Sequence, residues 1–178
     1  MLLKLYKTED DGKILYWEAW DDDEEIVVHF GELGTVGEST NLPLAEFEPP
    51  ETAIKRAAEE AREAGFAEVE HEELFEFVVQ YPLTGGDPQQ AVDKGFRVEE
   101  ILNECLGWTG LGHCDGNDVV EGAINIYCYV VEPTVAVNPV VEELRTNDVL
   151  DGAVIAYQDK NENFVVLWPR DFDGIFIY

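Results

Sequence analysis

The residues with the richest chemistry lie in a glycine-dense stretch, 107–122, which we predict to be a loop between a helix and a strand. It carries a candidate site made of Trp108, His113, Cys114, Asp115, Asn117 and Asp118. A nucleophilic site needs its nucleophile and base at hydrogen-bond distance. His113 and Cys114 are adjacent, and neighbours on extended backbone point to opposite faces. The spacing disfavours His113 as a base for Cys114, and we predict no catalytic residue.

The same stretch also contains residue types that bind metals. Structural zinc needs four ligands, usually paired at short spacing, and the irregular set Cys105, His113, Cys114 and Asp115 lacks that pattern. Oxygen ligands around Gly116 (Asp115, Asn117, Asp118 and Glu121) are typical of cation loops but lack the full spacing of an EF-hand. The alternative is a structural crossover stabilised by local turns. We predict no metal and no cofactor, and keep the loop as a candidate ligand site.

A second motif lies nearer the amino end. The segment HFGELGTVGES, from His29 to Ser39, places Gly31, Gly34 and Gly37 directly after a β-branched run. Glycine adopts positive φ without a steric penalty and lets backbone approach closely. The pattern predicts a strand that ends in a tight turn and is followed by another strand.

The surroundings of this motif resemble the WGR domain, which is found beside the catalytic region of poly(ADP-ribose) polymerases and in some bacterial proteins. The resembling features are the aromatic strand KILYWEAW before the glycines and an alanine-rich helix ending at Gly65-Phe66 after them. The resemblance covers about residues 1–70. It implies a curved antiparallel sheet with one packed helix, and a binding surface of Trp17, Phe30, Gly31, Glu32, Gly34 and Gly37.

The triplet that names the WGR family reads Phe30-Gly31-Glu32 in this chain. The family's Trp and Arg help to bind nucleic-acid ends, and Phe30 can still supply an aromatic surface. Glu32 replaces the cation with a carboxylate that phosphate repels. The resemblance therefore predicts a protein contact at this surface rather than DNA binding.

The remaining residues, 72–178, predict a second domain. An apolar run from Leu74 to Tyr81 is typical of a buried strand, and helical spacing extends from Val98 to Leu106. Residues 84–90 are predicted to be a loop. A strand from Ala123 to Val131 and a helix after Pro133 follow, with Pro139 in the first turn of that helix or at an interruption of it. The chain then forms a terminal hairpin and a tail, DFDGIFIY, that is predicted to add an edge strand. The predicted order of strands and helices favours an α+β sandwich and is compatible with a ferredoxin-like arrangement. The whole chain is thus predicted to be α+β, with domains at 1–70 and 72–178.

Composition limits the range of partners. The 178 residues include 39 Asp and Glu against 11 Lys and Arg, a formal charge of −28 divided evenly between residues 1–72 and 73–178. Such a surface repels phosphate backbones, so nucleic acid is disfavoured as a partner. The charge fits either solubility in salt or docking to a basic protein. Three cysteines without a CxxC pair, and no apolar stretch near 18 residues, predict a reduced, cytoplasmic setting without membrane contact. The resemblance to WGR domains, some of which are found in bacterial proteins, implies a bacterial protein.

These observations favour a non-enzymatic interaction protein that binds a basic protein partner, for instance as an inhibitor or immunity-like factor. Two alternatives stay open. One is a nucleic-acid-related module with altered WGR-type recognition through aromatic side chains. The other is a small ligand-binding or enzymatic domain that uses the loop 107–122. The sequence leaves the oligomeric state undetermined.

Overall fold

The structure, a computed structural model, describes residues 1–22, 25–45, 48–83, 88–120 and 122–177. The chain divides into two units, the first comprising Met1–His71 with Trp108–Gly110 and the second Glu72–Gly107 with Leu111–Tyr178. Each unit combines an antiparallel sheet with helices, which confirms the predicted α+β class. The three residues Trp108–Gly110 therefore belong to the first unit, although the sequence assigns them to the second domain.

The first unit contains a four-stranded antiparallel meander and one helix. Its elements are β1 (Leu2–Thr8), β2 (Ile14–Asp22), β3 (Glu25–Glu32), β4 (Glu38–Pro43) and α1 (Pro50–Glu63), and the strands lie in the order β1-β2-β3-β4. Alternation along the strands sends apolar residues to one face, where they pack against the small side chains of α1. This core contains Leu3, Leu5, Ala19, Ile26, Val28, Ala53, Ile54, Ala58 and Ala61.

The bounds of α1 agree with two signals in the sequence, since Pro49-Pro50-Glu51 predicts the start of a helix and Gly65 predicts its end. Pro50 occupies the first helical position, where a missing N–H costs nothing because that group has no partner inside the helix. Gly65 follows the helix with φ +97°, a backbone conformation that glycine adopts without strain. A helix bearing alanines on its inner face can lie close to the sheet, as the buried Ala58 shows.

The second unit contains a five-stranded antiparallel sheet and two helices. Its elements are β5 (Phe75–Pro82), α2 (Pro88–Trp108), β6 (Gly112–Val120), β7 (Ala123–Val130), α3 (Pro133–Thr146), β8 (Val154–Gln158) and β9 (Phe164–Trp168), with strand order β6-β7-β5-β8-β9. The β-α-β-β-α-β succession fits a ferredoxin-like arrangement, which stays a prediction.

Four details of the second unit differ from the prediction. Residues 112–120 form the edge strand β6 instead of a loop. Helix α2 begins at Pro88, inside the stretch 84–90 predicted as a loop, of which 84–87 lie outside the described residues. Pro139, predicted to be in the first turn of a helix or at an interruption of it, lies inside the continuous helix α3, because buried Val140 and Leu144 hold the following turns in place. The tail after Trp168, predicted to add an edge strand, forms none among residues 169–177.

Candidate functional site

The turn between β3 and β4 holds the three glycines of the amino-terminal motif. Gly34 has φ +87°, the left-handed conformation that the glycine spacing predicts. Both the amide and the hydroxyl of Thr35 donate to the Glu32 carbonyl, at 3.0 and 2.7 Å. The predicted tight turn between two strands is confirmed.

The other two glycines are required by the approach of Tyr16. A Cβ added to Gly37 would overlap the Phe30 carbonyl oxygen and the Tyr16 hydroxyl. A Cβ on Gly31 would lie 2.8 Å from the Gly37 Cα and 3.1 Å from the same hydroxyl. Glycine at these positions therefore makes room for a tyrosine side chain from the neighbouring strand β2.

A buried polar network surrounds the Tyr16 hydroxyl. The Tyr16 hydroxyl group lies 3.1 Å from His29 Nε2 and 3.1 Å from the Thr35 carbonyl oxygen, and its one proton is shared between these two acceptors. His29 Nδ1 lies 2.8 Å from Glu18 Oε1, and Lys4 Nζ lies 3.0 Å from Glu18 Oε2. Tyr16, Glu18 and His29 are 2, 5 and 1 % exposed. These bonds satisfy groups whose burial would otherwise be costly.

Strand register brings the network together. Glu18 on β2 pairs directly with His29 on β3 and with Lys4 on β1. Directly opposite residues share a face and lie close enough to interact. An ionised carboxylate only accepts hydrogen bonds, so with Lys4 beside Glu18 the Nδ1 nitrogen of His29 carries a proton and donates to Glu18.

The order carboxylate, imidazole and hydroxyl is also found in nucleophilic sites, but the surroundings of Tyr16 favour a supporting role. Burial, followed by the nearby charge of Glu18, raises the pKa of Tyr16 to about 12. A phenol of that pKa keeps its proton near neutral pH and is a weak nucleophile. The network instead links Glu18 and His29 of the sheet, through the Tyr16 hydroxyl, to Thr35, and so fixes the β3–β4 turn.

Aromatic rings and a short remote segment cover the network. The His29 ring lies edge-on to Trp108 at 5.3 Å between centroids and to Trp20 at 6.2 Å. The Gly34 amide donates to the Thr109 carbonyl at 2.9 Å, and the Tyr6 hydroxyl donates to the Gly110 carbonyl at 3.1 Å. Residues 108–110 therefore complete the face of the first sheet that is opposite α1.

The outer side of the turn is an open depression lined by Phe30, Gly31, Thr35, Val36, Gly37 and Glu38, which we call the β3–β4 surface. Phe30 is 39 % exposed and Val36 is 64 % exposed. Glu38 is also exposed, and the described residues place no cation within ion-pair distance of it. The surface thus combines two apolar side chains with a carboxylate.

The structure brings part of the predicted WGR-like surface together here. Phe30, Gly31 and Gly37 line the depression, and Trp17 lies opposite Phe30 in the register, half-buried against the core of α1. Gly34 forms the turn itself. Glu32 is exposed, and its carboxylate is 3.0 Å from Lys13 Nζ. The sequence did not single out Val36 or Glu38, because an exposed valine and glutamate have no signal of their own.

The second predicted site is not a loop and does not converge. His113, Cys114, Asp115, Asn117 and Asp118 lie on β6, whereas Trp108 belongs to the first unit. Asn117 donates to Glu99 of α2, while Asp118 accepts a 2.9 Å hydrogen bond from Tyr127 of β7. The His113 ring packs 5.8 Å from that of Tyr129.

Strand alternation therefore separates the proposed cation ligands. The fourth of them, Glu121, lies outside the described residues. Within the described ranges, no group of three or more metal-binding side chains is found. What β6 does bring together is a pair of thiols, because Cys114 lies directly opposite Cys128 of β7. The alternation along β7 predicts that Cys128 lies on one face of the strand with Ile124, Ile126 and Val130. Only the register of β6 against β7 shows that Cys114 is its neighbour.

Comparison with family models, with curated proteins and with solved structures found no match to this chain. The WGR-like assignment of residues 1–70 therefore stays a prediction from the residues quoted above. Among the helices that the structure describes, none combines the length and apolar character needed to cross a bilayer.

Proposed function

We propose that the protein binds a basic segment of a partner protein at the β3–β4 surface. The observation that carries the proposal is the pair of exposed apolar side chains, Phe30 and Val36, beside the Glu38 carboxylate. An aromatic anchor gives an interface much of its binding energy, and an adjacent charge selects the partner. The matching ligand carries Lys or Arg next to an apolar side chain.

The hydrogen bonds beneath this surface favour binding because they hold it in one conformation before a ligand arrives. Thr35 is bonded to both Tyr16 and Glu32, and Gly34 is bonded to Thr109. A turn that is already ordered loses less conformational freedom when a ligand binds. The buried Tyr16–His29–Glu18 network is thus the scaffold of the proposed site.

Charge complementarity supports a basic partner. At least seven of the eleven lysines and arginines already form ion pairs with carboxylates of the chain. The excess of 28 acidic residues over basic ones is therefore largely left to solvent and to partners. Nucleic acid is disfavoured, because its affinity depends on free cations that replace counterions. An inhibitor or immunity-like role follows if the bound segment belongs to the surface with which the partner binds its own target or substrate.

Fluorescence anisotropy with labelled synthetic peptides tests the proposal. The probe peptide carries lysines on both sides of a leucine, and its two controls replace the leucine by serine or the lysines by glutamates. We expect only the probe to bind, with an affinity that falls at least tenfold as salt rises from about 0.1 M to about 1 M, because salt screens exposed charges.

Two variants locate the binding site. Val36→Ser and Glu38→Gln should each weaken binding several-fold. Val165→Ser is the matched apolar control, since Val165 is 38 % exposed on β9, and Glu63→Gln on the solvent side of α1 is the matched charge control. Equal binding by all four variants would contradict the assignment of the surface. Binding of a single-stranded or nicked DNA probe in preference to the peptide would contradict the choice of partner.

A further inference from the structure

The second unit contains two thiols in contact across neighbouring strands. Cys114 of β6 and Cys128 of β7 are direct register partners, and their Sγ atoms lie 2.9 Å apart. Opposed residues of antiparallel strands have Cα atoms about 4.5–5.5 Å apart, which is within the range that a disulfide spans. The backbone therefore needs little movement for the two sulfurs to become bonded.

The two thiols differ in accessibility. Cys128 is fully buried, whereas Cys114 is half-buried on the edge strand, where solutes in solvent can reach it. Burial, and next the hydrogen bond with Cys114, raise the pKa of the Cys128 thiol. Cys105 of α2 has its pKa raised to about 12 by burial and then by the charge of Glu143. Of the two sulfurs in contact, Cys114 is therefore the one that a dissolved oxidant can reach, while the half-buried Cys105 keeps its proton near neutral pH.

The local backbone tolerates adjustment at this position. The register of β6 shifts between Cys114 and Gly116, so a bulge directly follows the thiol. A bulge leaves one residue unpaired and bends its strand. The Cys114 amide donates a hydrogen bond of 3.3 Å to Asn103 Oδ1 of α2. This bond links β6 to the helix at the residue that carries the thiol.

We propose that Cys114 and Cys128 form a reversible intrachain disulfide when the protein meets hydrogen peroxide. The Cys114 thiolate attacks the O–O bond, so an S–O bond forms, the O–O bond breaks and the leaving hydroxide is protonated to water. Cys114 is thereby oxidised to a sulfenic acid while the peroxide is reduced. The Cys128 sulfur then bonds to Cys114 Sγ, the S–O bond breaks, and the Cys128 proton leaves with the hydroxyl as a second water.

Proximity makes the second step feasible despite the burial of Cys128. A protonated thiol is a poor nucleophile, but the two sulfurs are already in contact, which removes the entropic cost of bringing them together. A small-molecule dithiol reverses the bond by exchange. Disulfides in reducing compartments are characteristically catalytic or redox-sensing. Here the bond would fasten the edge strand β6 to β7.

The test treats the full chain with hydrogen peroxide and measures its intact mass, then blocks free thiols and maps peptides without reduction. We expect an intact mass lower by two hydrogen atoms, a linked pair of peptides containing Cys114 and Cys128, and recovery of both thiols with dithiothreitol. Cys105→Ser is the matched control and should form the same link. A link through Cys105, or between two chains, would overturn the proposal.

Two further variants separate the chemical steps. Cys128→Ser should leave Cys114 as a sulfenic acid that dimedone labels, and Cys114→Ser should leave Cys128 unlabelled, with circular dichroism confirming that each variant is folded. Oxidation of wild-type Cys114 to the sulfinic acid while Cys128 stays reduced would refute the pairing. The oxidised protein should also unfold at least about 4 °C above the reduced one, since a cross-link destabilises the unfolded chain.

Discussion

Replacing Tyr16 by phenylalanine removes one oxygen atom from the buried network and little else. The hydroxyl is bonded to His29 Nε2 and to the Thr35 carbonyl. Thr35 lies on an exposed turn, so water can replace its bond, but His29 is 1 % exposed and would be left with an unsatisfied nitrogen. A buried polar group without a partner costs about 1–3 kcal/mol, and we expect the free energy of unfolding to fall by about 2 kcal/mol.

Urea unfolding followed by tryptophan fluorescence measures this change in the first unit alone. Three of the four tryptophans, Trp17, Trp20 and Trp108, belong to that unit, so a Trp168→Phe background silences the fourth. The urea midpoint should fall while its slope is unchanged. Tyr157→Phe in the second unit, followed by circular dichroism because the remaining tryptophans report on the first unit, is the control for removing a phenol oxygen. A loss smaller than about 0.5 kcal/mol for Tyr16→Phe would refute the idea that this network supports the turn.

Two further predictions follow from the same residues. The pKa of Tyr16 is raised to about 12 from an ordinary 10, so the folded protein holds this proton more tightly than the unfolded chain. Its contribution to stability is complete below pH 10 and is lost as pH rises from about 10 to 12; the decline, measured by urea unfolding at each pH, should be shallower in Tyr16→Phe. Gly37→Ala should destabilise the first unit by about 1–3 kcal/mol, because its Cβ has no room. Gly107→Ala, with open space beside its Cα in α2, should stabilise the second unit by about 0.5–1 kcal/mol, and thermal unfolding of both variants checks the opposite signs.

Local sequence signals predicted the first unit well. The run Ile26–Val28 followed by Gly31 and Gly34 indicated β3 and its turn, and Pro50 with Gly65 marked the two ends of α1. These signals are local, since each depends on the conformational preference of one residue or on the period of a short segment. The structure confirms them because tertiary packing agrees with the local preference at each position.

The strand β6 shows where local signals are insufficient. Its sequence GHCDGNDVV is rich in glycine, aspartate and asparagine, all of which are uncommon in strands. It is a strand because β7 supplies a hydrogen-bonding edge and because a bulge accommodates the mismatch after Cys114. Gly112 lies so close to the neighbouring strand that a Cβ would overlap the Tyr129 carbonyl oxygen. Glycine indicates close packing of strands here, whereas the sequence pattern favoured a loop.

The candidate site was predicted only in part for a similar reason. The spacing of the glycines predicts Gly31 and Gly37, and the resemblance to the WGR triplet adds Phe30, but the contact of Tyr16 with these glycines depends on the register of β2 against β3. Trp108 was grouped with His113 because they are near in sequence. Its actual neighbours, Trp20 and His29, come from strands formed by the first third of the chain.

The membership of Trp108–Gly110 in the first unit has a consequence for biosynthesis. A nascent chain that has emerged only to His71 already contains all four strands and α1 of that unit, yet Trp20, His29 and Tyr6 still lack the residues that contact them. Domains generally fold as units while the ribosome is still elongating the chain. This amino-terminal unit instead reaches its final packing only after translation has passed residue 110, when most of helix α2 has also been made.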